Sequence, residues 1–533
     1  MREHRSTTRV WPIVAASVLA LTCTSLPLKP PFTPNTIGGP FAALLSSTTD
    51  LGPAHRPVRV TAALRGTTRP DSLFTWAHDH ALTVRWREDD NWAVIEGAAR
   101  AVGAALDVAV HDFRNRAGRV FYASRQQPVV PEPVRAEVSG LGRILGYTPF
   151  HGARPWNPPR DVPSQGLSPE ALLRTYNVEP LRRDGFTGKG VTVLVFAFDG
   201  FDQADLDTFT DTFDLPRFTP ELLGQMPSER SGEATMDLEA VHAIAPDARK
   251  VLVNARPTVE GDGSYEKVAA MMDEATRRYP GAVWSLSIGW GCDKLITAAD
   301  LAPVRSALAA AHRTGTTAFE ASGDLAGLEC KGGDNWATPP GPDEIGLDAV
   351  ASIPEMTDVG GTSLSTDENG TWLSEQTWFD VPLSQGTGGG VSELFARPAW
   401  QEPIDAPEGV GRRLTPDISA VSDPNTGVSF VFGGQLIAGG GTSLAAPLLA
   451  GMAAVMNQYL LERGGRLLGD LNPLLYEAAQ GARLPGFRDI TLGGNAVNLS
   501  RPGYDLVTGL GTPNIANLVE NLLAIQKAQE RSR

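Results

Sequence analysis

From residue 167 to the C-terminus one alternation repeats along the chain. Short apolar runs at Val191–Phe196, Lys250–Val253, Val283–Ile288 and Thr316–Phe319 are each followed by stretches with helical spacing. Runs that are apolar on both faces suit strands covered by helices on both sides. The pattern predicts an α/β domain, a mostly parallel sheet flanked by helices. Leu167-Ser168-Pro169-Glu170 opens it as a helix start with proline at an early position. Residues 55–148 read differently. Val58 to Ala62 alternates with period two, Ala93 to Leu106 has helical spacing, and Leu106–His111 and Gly118–Tyr122 look like strands. That predicts a separate α+β unit. Residues 149–166 carry five prolines and read as an exposed linker. Residues 27–54 are rich in Pro, Ser and Thr and read as a second linker. Arg2, Arg5 and Arg9 precede an apolar stretch from Trp11 to Leu26. It is short of the ~20 residues a spanning helix needs, so residues 1–26 are expected to be a signal peptide, with an uncleaved anchor as the alternative.

Composition narrows the class. The 533 residues are 42% hydrophobic and include 56 glycines and 41 prolines, which suits a loop-rich globular protein. The 61 acidic against 46 basic residues give a net charge of −15. That argues against nucleic acid as a partner.

The candidate chemistry begins at Gly441-Thr-Ser443-Leu-Ala-Ala-Pro447, a glycine-rich turn opening a helix. The turn exposes Ser443 to the free N–H groups of the helix start, a good setting for a nucleophile whose attack creates an oxyanion. A histidine base is hard to find. Six of the eight histidines precede residue 160, and His312 sits in Ala-rich helical sequence. His242 remains, also in helical sequence, and Asp199 could serve as its aspartate. Carboxylates make a better case. Glu233 and Asp237 are spaced i, i+4 and share a helix face. Enclosed together, they would share a proton. Asp324 ends the strand-like run Thr317–Asp324; kept protonated, it could donate to an oxyanion.

Read together, these segments resemble the sedolisin family, the serine-carboxyl peptidases, in particular its kumamolisin-like branch. The resemblance runs over nearly all of the chain after residue 55. It rests on ordered blocks: Glu233-x-x-x-Asp237 with Ala243–Pro246, Trp284–Gly291, Ser322-Gly323-Asp324, Val359–Thr362, Gly388–Ser392, Pro398–Gln401, Arg413–Ala420, Asp423–Gly427, and the serine motif. It implies a subtilisin-like sheet preceded by an activation prodomain at 55–148. Processing would fall in 149–166, and the catalytic domain would occupy 167–533. It implies Ser443 as nucleophile, Glu233 as general base, Asp237 as the residue that holds and polarises Glu233, and Asp324 as oxyanion donor. It also implies one calcium ion held by the carboxylates of Asp489 and Asp505 and the carbonyls of Ile490, Arg501 and Gly503. The expected product is a secreted, extracellular, acid-acting endopeptidase made as a self-processing zymogen. Its partners would be polypeptide substrates and its own prodomain as inhibitor. It would be a monomer, with no membrane contact beyond the signal peptide or an uncleaved anchor.

Two departures stand out. Ala197 lies where some family members carry a further glutamate, and the stretch from Leu325 to Ala351 is atypical. Once a signal is removed, Cys292 and Cys330 remain, and an exported protein would be expected to join them, two free buried thiols being the alternative. Three functional alternatives stay open at this point: a catalytically silent binding relative, a His242-dependent neutral subtilase, and a tripeptidyl-peptidase.

Overall fold

A computed structural model describes residues 35–148, 151–152, 166–262, 264–331, 341–367, 369–380, 385–405 and 410–532. The expected signal peptide, the start of the first linker and nearly all of the 149–166 linker lie outside these residues.

The apolar runs become the centre of one twisted sheet. Its strands lie in the order Glu221–Leu223, Arg249–Asn254, Thr192–Ala197, Val283–Leu286, Thr317–Ala321, Thr357–Thr366 and Trp372–Thr377. Ile418–Val421 also pairs with Thr357–Thr366, in parallel. Every pairing is parallel except the last, where Trp372–Thr377 runs antiparallel. Helices Glu233–Ile244 and Thr442–Glu462 pack on one face of the sheet, around Val193, Val195 and Phe319. Helices Tyr265–Arg278 and Ala302–Arg313 cover the other, around Leu194, Phe196 and Trp284. Among the described residues Thr442–Glu462 is the one helix long and apolar enough to cross a membrane. It is enclosed by the sheet and its neighbours, buried on every side from Thr442 to Leu460, as an all-round apolar helix must be.

The N-terminal unit has its own core. A four-stranded antiparallel sheet runs in the order Thr83–Arg85, Trp92–Ala98, Pro57–Leu64, Val138–Leu141. Helices Asp71–Asp79 and Ala99–Leu106 pack against it through Leu73, Trp76, Val102 and Leu106. Here the sequence pattern misleads in three places. Trp92–Ala98 is a central strand rather than the start of a helix, because Val94 and Ile95 are held between two neighbouring strands. The following strand begins only at His111, after Asp107 turns the chain with φ 53°. Residues 39–53 of the predicted linker are ordered: Gly39–Ser46 is a helix that buries Phe41 and Leu45, and Thr49–Pro53 pairs with His111–Arg114.

This unit is fastened to the larger domain in two ways. Phe41, Phe113 and Phe121 join the same apolar cluster as Trp284 and Ile296. Around them, arginines of the N-terminal unit reach acceptors of the larger domain. Arg85 forks onto Glu266 at 2.5 and 2.8 Å, Arg87 meets Asp273 at 3.1 Å, and Arg56 meets Asp262 at 3.4 Å. Arg119 donates to the carbonyls of Val259 and Gly261, and Arg143 to that of Lys294.

One feature of the core was not visible in the pattern. Glu320 and Asp358 face each other in register on adjacent strands, both buried. Among the described residues neither oxygen of Glu320 has a hydrogen-bond partner, and Oδ1 of Asp358 has none. Burial, then the charges of Asp348 and Asp358, holds the Glu320 carboxyl well above its usual range. A carboxyl raised by folding stabilises the fold below its unfolded pKa of ~4.3, and that contribution is lost as pH rises toward the folded value. Glu320→Gln, a neutral isostere, is therefore expected to raise the melting temperature at pH 7, by an amount on the order of a few degrees, and to change it little at pH 4. Calorimetry at the two pH values measures this; equal shifts at both would show that Glu320 does not titrate with folding.

Candidate active site

Ser443 is the second residue of the helix Thr442–Glu462. Gly441 before it has φ +95°, and a Cβ there would lie 2.8 Å from Asp324 Oδ2, so the turn requires glycine. Pro447, inside the helix, has no N–H to return to the Ser443 carbonyl. The Ser287 hydroxyl, beyond the end of Val283–Leu286, takes that acceptor at 2.9 Å. The Ser443 N–H donates to no described residue.

Asp324 follows the strand Thr317–Ala321 through Gly323, whose φ is +104°. Its Oδ1 accepts from Thr442 N at 2.7 Å and Thr442 Oγ1 at 2.8 Å. Thr442 Oγ1 in turn accepts from Gly323 N at 3.1 Å. Both donors use Oδ1, so Oδ2, beside Gly441, is the oxygen left to carry a proton. Burial raises the Asp324 carboxyl, and the two Thr442 bonds offset part of that rise.

Glu233 is the first residue of the helix Glu233–Ile244, and Asp237 stands one turn on. Both are buried. The Ser443 hydroxyl lies close to the Glu233 carboxyl and acts on its titration. That carboxyl is pushed well up by burial first, then by the charges of Asp237, Asp199 and Asp324, while the Ser443 hydroxyl opposes the rise. Asp237 is pushed well up by burial; the neighbouring Ser287 hydroxyl opposes this and the Asp199 charge adds to it. Two buried carboxyls one turn apart titrate as a pair that retains a proton. Thus Glu233, Asp237, Asp324 and Ser443, drawn from three distant segments, meet at one site.

The histidine alternative fails on geometry. His242 is nine residues beyond Glu233, half a revolution around the helix. Its Nε2 lies 2.7 Å from the Pro216 carbonyl, its ring stacks on Phe218 at 4.0 Å, and burial takes its pKa down to about 3. Asp199, the possible partner of a histidine base, instead caps the start of the Glu233 helix. Ser287, Thr442 and Asp199 are the contributors that sequence reasoning did not place. Thr442 and Ser287 adjoin motifs already singled out, but nothing in a linear motif shows which neighbour a hydroxyl meets.

The C-terminal candidates also converge. Asp489 Oδ2 accepts from Gly503 N at 2.9 Å, and Asp505 Oδ2 from Arg501 N at 3.1 Å. Asp505 Oδ1 is held by Val507 N, Thr508 N and Thr508 Oγ1. The carbonyls of Ile490, Arg501 and Gly503 receive no hydrogen bond from a described residue. Two carboxylates with free carbonyls on interlocked loops form an oxygen-only donor set, which fits a hard cation. Cys292, Asp293 and Cys330 also cluster, but the two sulfurs are joined as a disulfide with Cα atoms 4.9 Å apart, so they are not ligands.

No protein-family model matches the chain. Kumamolisin of Bacillus sp. (strain MN-32) is 29% identical over 477 residues, covering 84% of this chain and 82% of that protein. Sedolisin of Pseudomonas sp. (strain 101) is 26% identical, covering 79% and 73%. Tripeptidyl-peptidase 1 of Homo sapiens is 26% identical, covering 74% and 72%. Among solved structures, Pseudomonas sedolisin, a serine-carboxyl proteinase complexed with two molecules of pseudo-iodotyrostatin, superposes with a TM-score of 0.57 at 25% identity. That match covers 70% of this chain and all of the other. With the parallel sheet, the serine turn and the three raised carboxyls in place, these likenesses make the chain similar over most of its length to the serine-carboxyl peptidases of the sedolisin family.

Proposed function

We propose that the protein is a secreted, acid-acting endopeptidase made as a self-processing zymogen. Ser443 attacks the scissile carbonyl. Glu233 takes the Ser443 proton and returns it to the leaving amine, while Asp237 holds and polarises Glu233. The tetrahedral oxyanion is stabilised by the Ser443 N–H and by the proton on Asp324. The observation that carries this reading is the meeting of Ser443 with three buried carboxyls, each raised by its surroundings. Glu233 must be ionised to act as base and Asp324 protonated to act as donor, so activity is expected to fall in strong acid, as Glu233 takes up a proton, and again toward alkaline pH, as Asp324 loses its own.

The N-terminal unit is assigned the role of an intramolecular inhibitor, supported by its apolar and arginine-mediated fastening to the larger domain. Asp489, Asp505 and the carbonyls of Ile490, Arg501 and Gly503 would hold one calcium ion. Such an ion would neutralise two carboxylates and tie together the loops around 487–505, which are joined to the core by a hydrogen bond from Tyr504 Oη to the Pro416 carbonyl at 3.0 Å. Relatives named tripeptidyl-peptidases give a second reading, release of tripeptides from free N-termini.

The test is autoprocessing. Purified full-length protein with calcium is held at pH 3–5 and at pH 7.5, beside Ser443→Ala, and followed by intact mass and by digestion of a denatured protein. The expected result is shortening in acid to a product that begins between residues 150 and 170, absent in the variant. Internal cuts in the digest identify an endopeptidase, and a ladder of tripeptides the second reading. An intact, inactive chain at every pH would sink the proposal.

A further inference from the structure

Asp199 lies just beyond the strand Thr192–Ala197 and is 3% exposed. Among the described residues it accepts four hydrogen bonds, all from one short segment. Ser231 N at 2.9 Å, Ser231 Oγ at 2.6 Å and Gly232 N at 3.1 Å go to Oδ2, and Ala234 N at 3.0 Å goes to Oδ1. The grip therefore closes on both sides of Glu233 without touching its carboxyl. These donors include free N–H groups at the start of the Glu233 helix, where the helix end is positive and favours an anion. Arg230, the nearest arginine in sequence, turns instead to Asp202 at 3.4 Å and to the carbonyls of Pro227 and Glu229. The strand itself offers Glu233 no polar side chain, since its last residue is the buried Ala197. Gly232, at φ +98°, packs under Phe432 and has no side chain with which to cap the helix.

We infer that Asp199 is a positioning residue for peptide-bond hydrolysis, fixing Glu233 against Ser443 by holding residues 231, 232 and 234. The inference rests on Glu233 being the general base. It predicts two separable effects. The first is geometric. Asparagine cannot accept on both of its side-chain atoms, so one of the gripped sides faces an NH2 group and loosens. The second is electrostatic. The charged groups facing Glu233 are Asp237 on its own helix, Asp199 from the strand end and Asp324 from the Ser322–Asp324 turn, with the Ser443 hydroxyl opposite. Removing the Asp199 charge lets Glu233 ionise more readily. Asp324, by contrast, is governed by its own burial and by Thr442, with no contribution from Asp199.

The experiment compares Asp199→Asn and Asp199→Ser, each a neutral side chain that can still cap a helix, with the parent and with Glu233→Gln. kcat, KM and the full pH profile are measured, with a melting curve for each variant. The expected result is a kcat lower by roughly 10- to 100-fold, the range for a misplaced catalytic group, with KM close to the parent's. The acid-side limb of the profile moves to lower pH, by about half a unit or more, while the neutral-side limb stays in place. Folded variants with parental kcat and an unmoved acid limb would overturn the inference. A fall in activity that tracks melting temperature, with both limbs unmoved, would also overturn it, since that is what a purely structural cap does. An active Glu233→Gln would instead remove the general base itself, and the inference with it.

Discussion

Ser443→Ala is expected to lower kcat by about a million-fold, the cost of removing the nucleophile from a residue set that acts as a unit. The same unity makes the double variant Ser443→Ala with Glu233→Gln scarcely worse than Ser443→Ala alone. Glu233 acts on the reaction only through the proton of the neighbouring Ser443 hydroxyl. The residual rate comes from the oxyanion donors and substrate binding, which both variants leave in place. Single-turnover cleavage of a fluorogenic peptide by the parent, the two single variants and the double variant measures this. Additive losses would mean that Glu233 and Ser443 serve different steps. Ser443→Ala should also leave the chain unprocessed, which separates lost chemistry from lost folding, because the intact zymogen can be shown to melt cooperatively.

Asp324 gives the second large effect, and its two substitutions should behave differently. Asp324→Ala removes an oxyanion donor and is expected to lower kcat by about 100- to 1000-fold. Asp324→Asn should retain far more activity. Thr442 N and Oγ1 both donate to Oδ1, so the asparagine oxygen takes that side and its NH2 replaces the protonated Oδ2 beside Gly441. An amide donates at every pH, whereas the carboxyl donates only while protonated. The parent therefore loses activity as pH rises through the raised pKa of Asp324, and Asp324→Asn is expected to lose that limb and work closer to neutrality. A pH profile of kcat for both variants decides it. If Asp324→Asn keeps the parental neutral-side limb, the proton that matters is elsewhere.

These expectations come from two kinds of information. The parallel sheet was legible because its strands are apolar on both faces, a pattern that few other environments allow. The serine turn, the paired acids and Ser-Gly-Asp were legible as local chemistry, and their order along the chain connected them to a family. The N-terminal unit was less legible. Val94 and Ile95 sit in an Ala-rich stretch whose spacing suits a helix, and only pairing on both edges makes Trp92–Ala98 a strand. Gly39–Ser46 looked like linker because two buried side chains, Phe41 and Leu45, are too few to form a pattern.

What the sequence determined by itself is whatever depends on near neighbours: the period of buried positions, the glycines that permit the turns at 323 and 441, and the i, i+4 acids on one helix face. What the tertiary structure decided depends on contacts between distant segments. His242 shares a helix with Glu233, yet packing turns it onto Phe218 and Pro216. Asp199 fits a triad aspartate in sequence, yet the fold places it beneath the start of the Glu233 helix. Thr442 and Ser287 acquire their roles only because the segments around 324 and 237 close against them. Burial works the same way. The charges of Glu233, Asp237, Asp324 and Glu320 are ordinary along the chain and become costly only where the folded protein removes water from them.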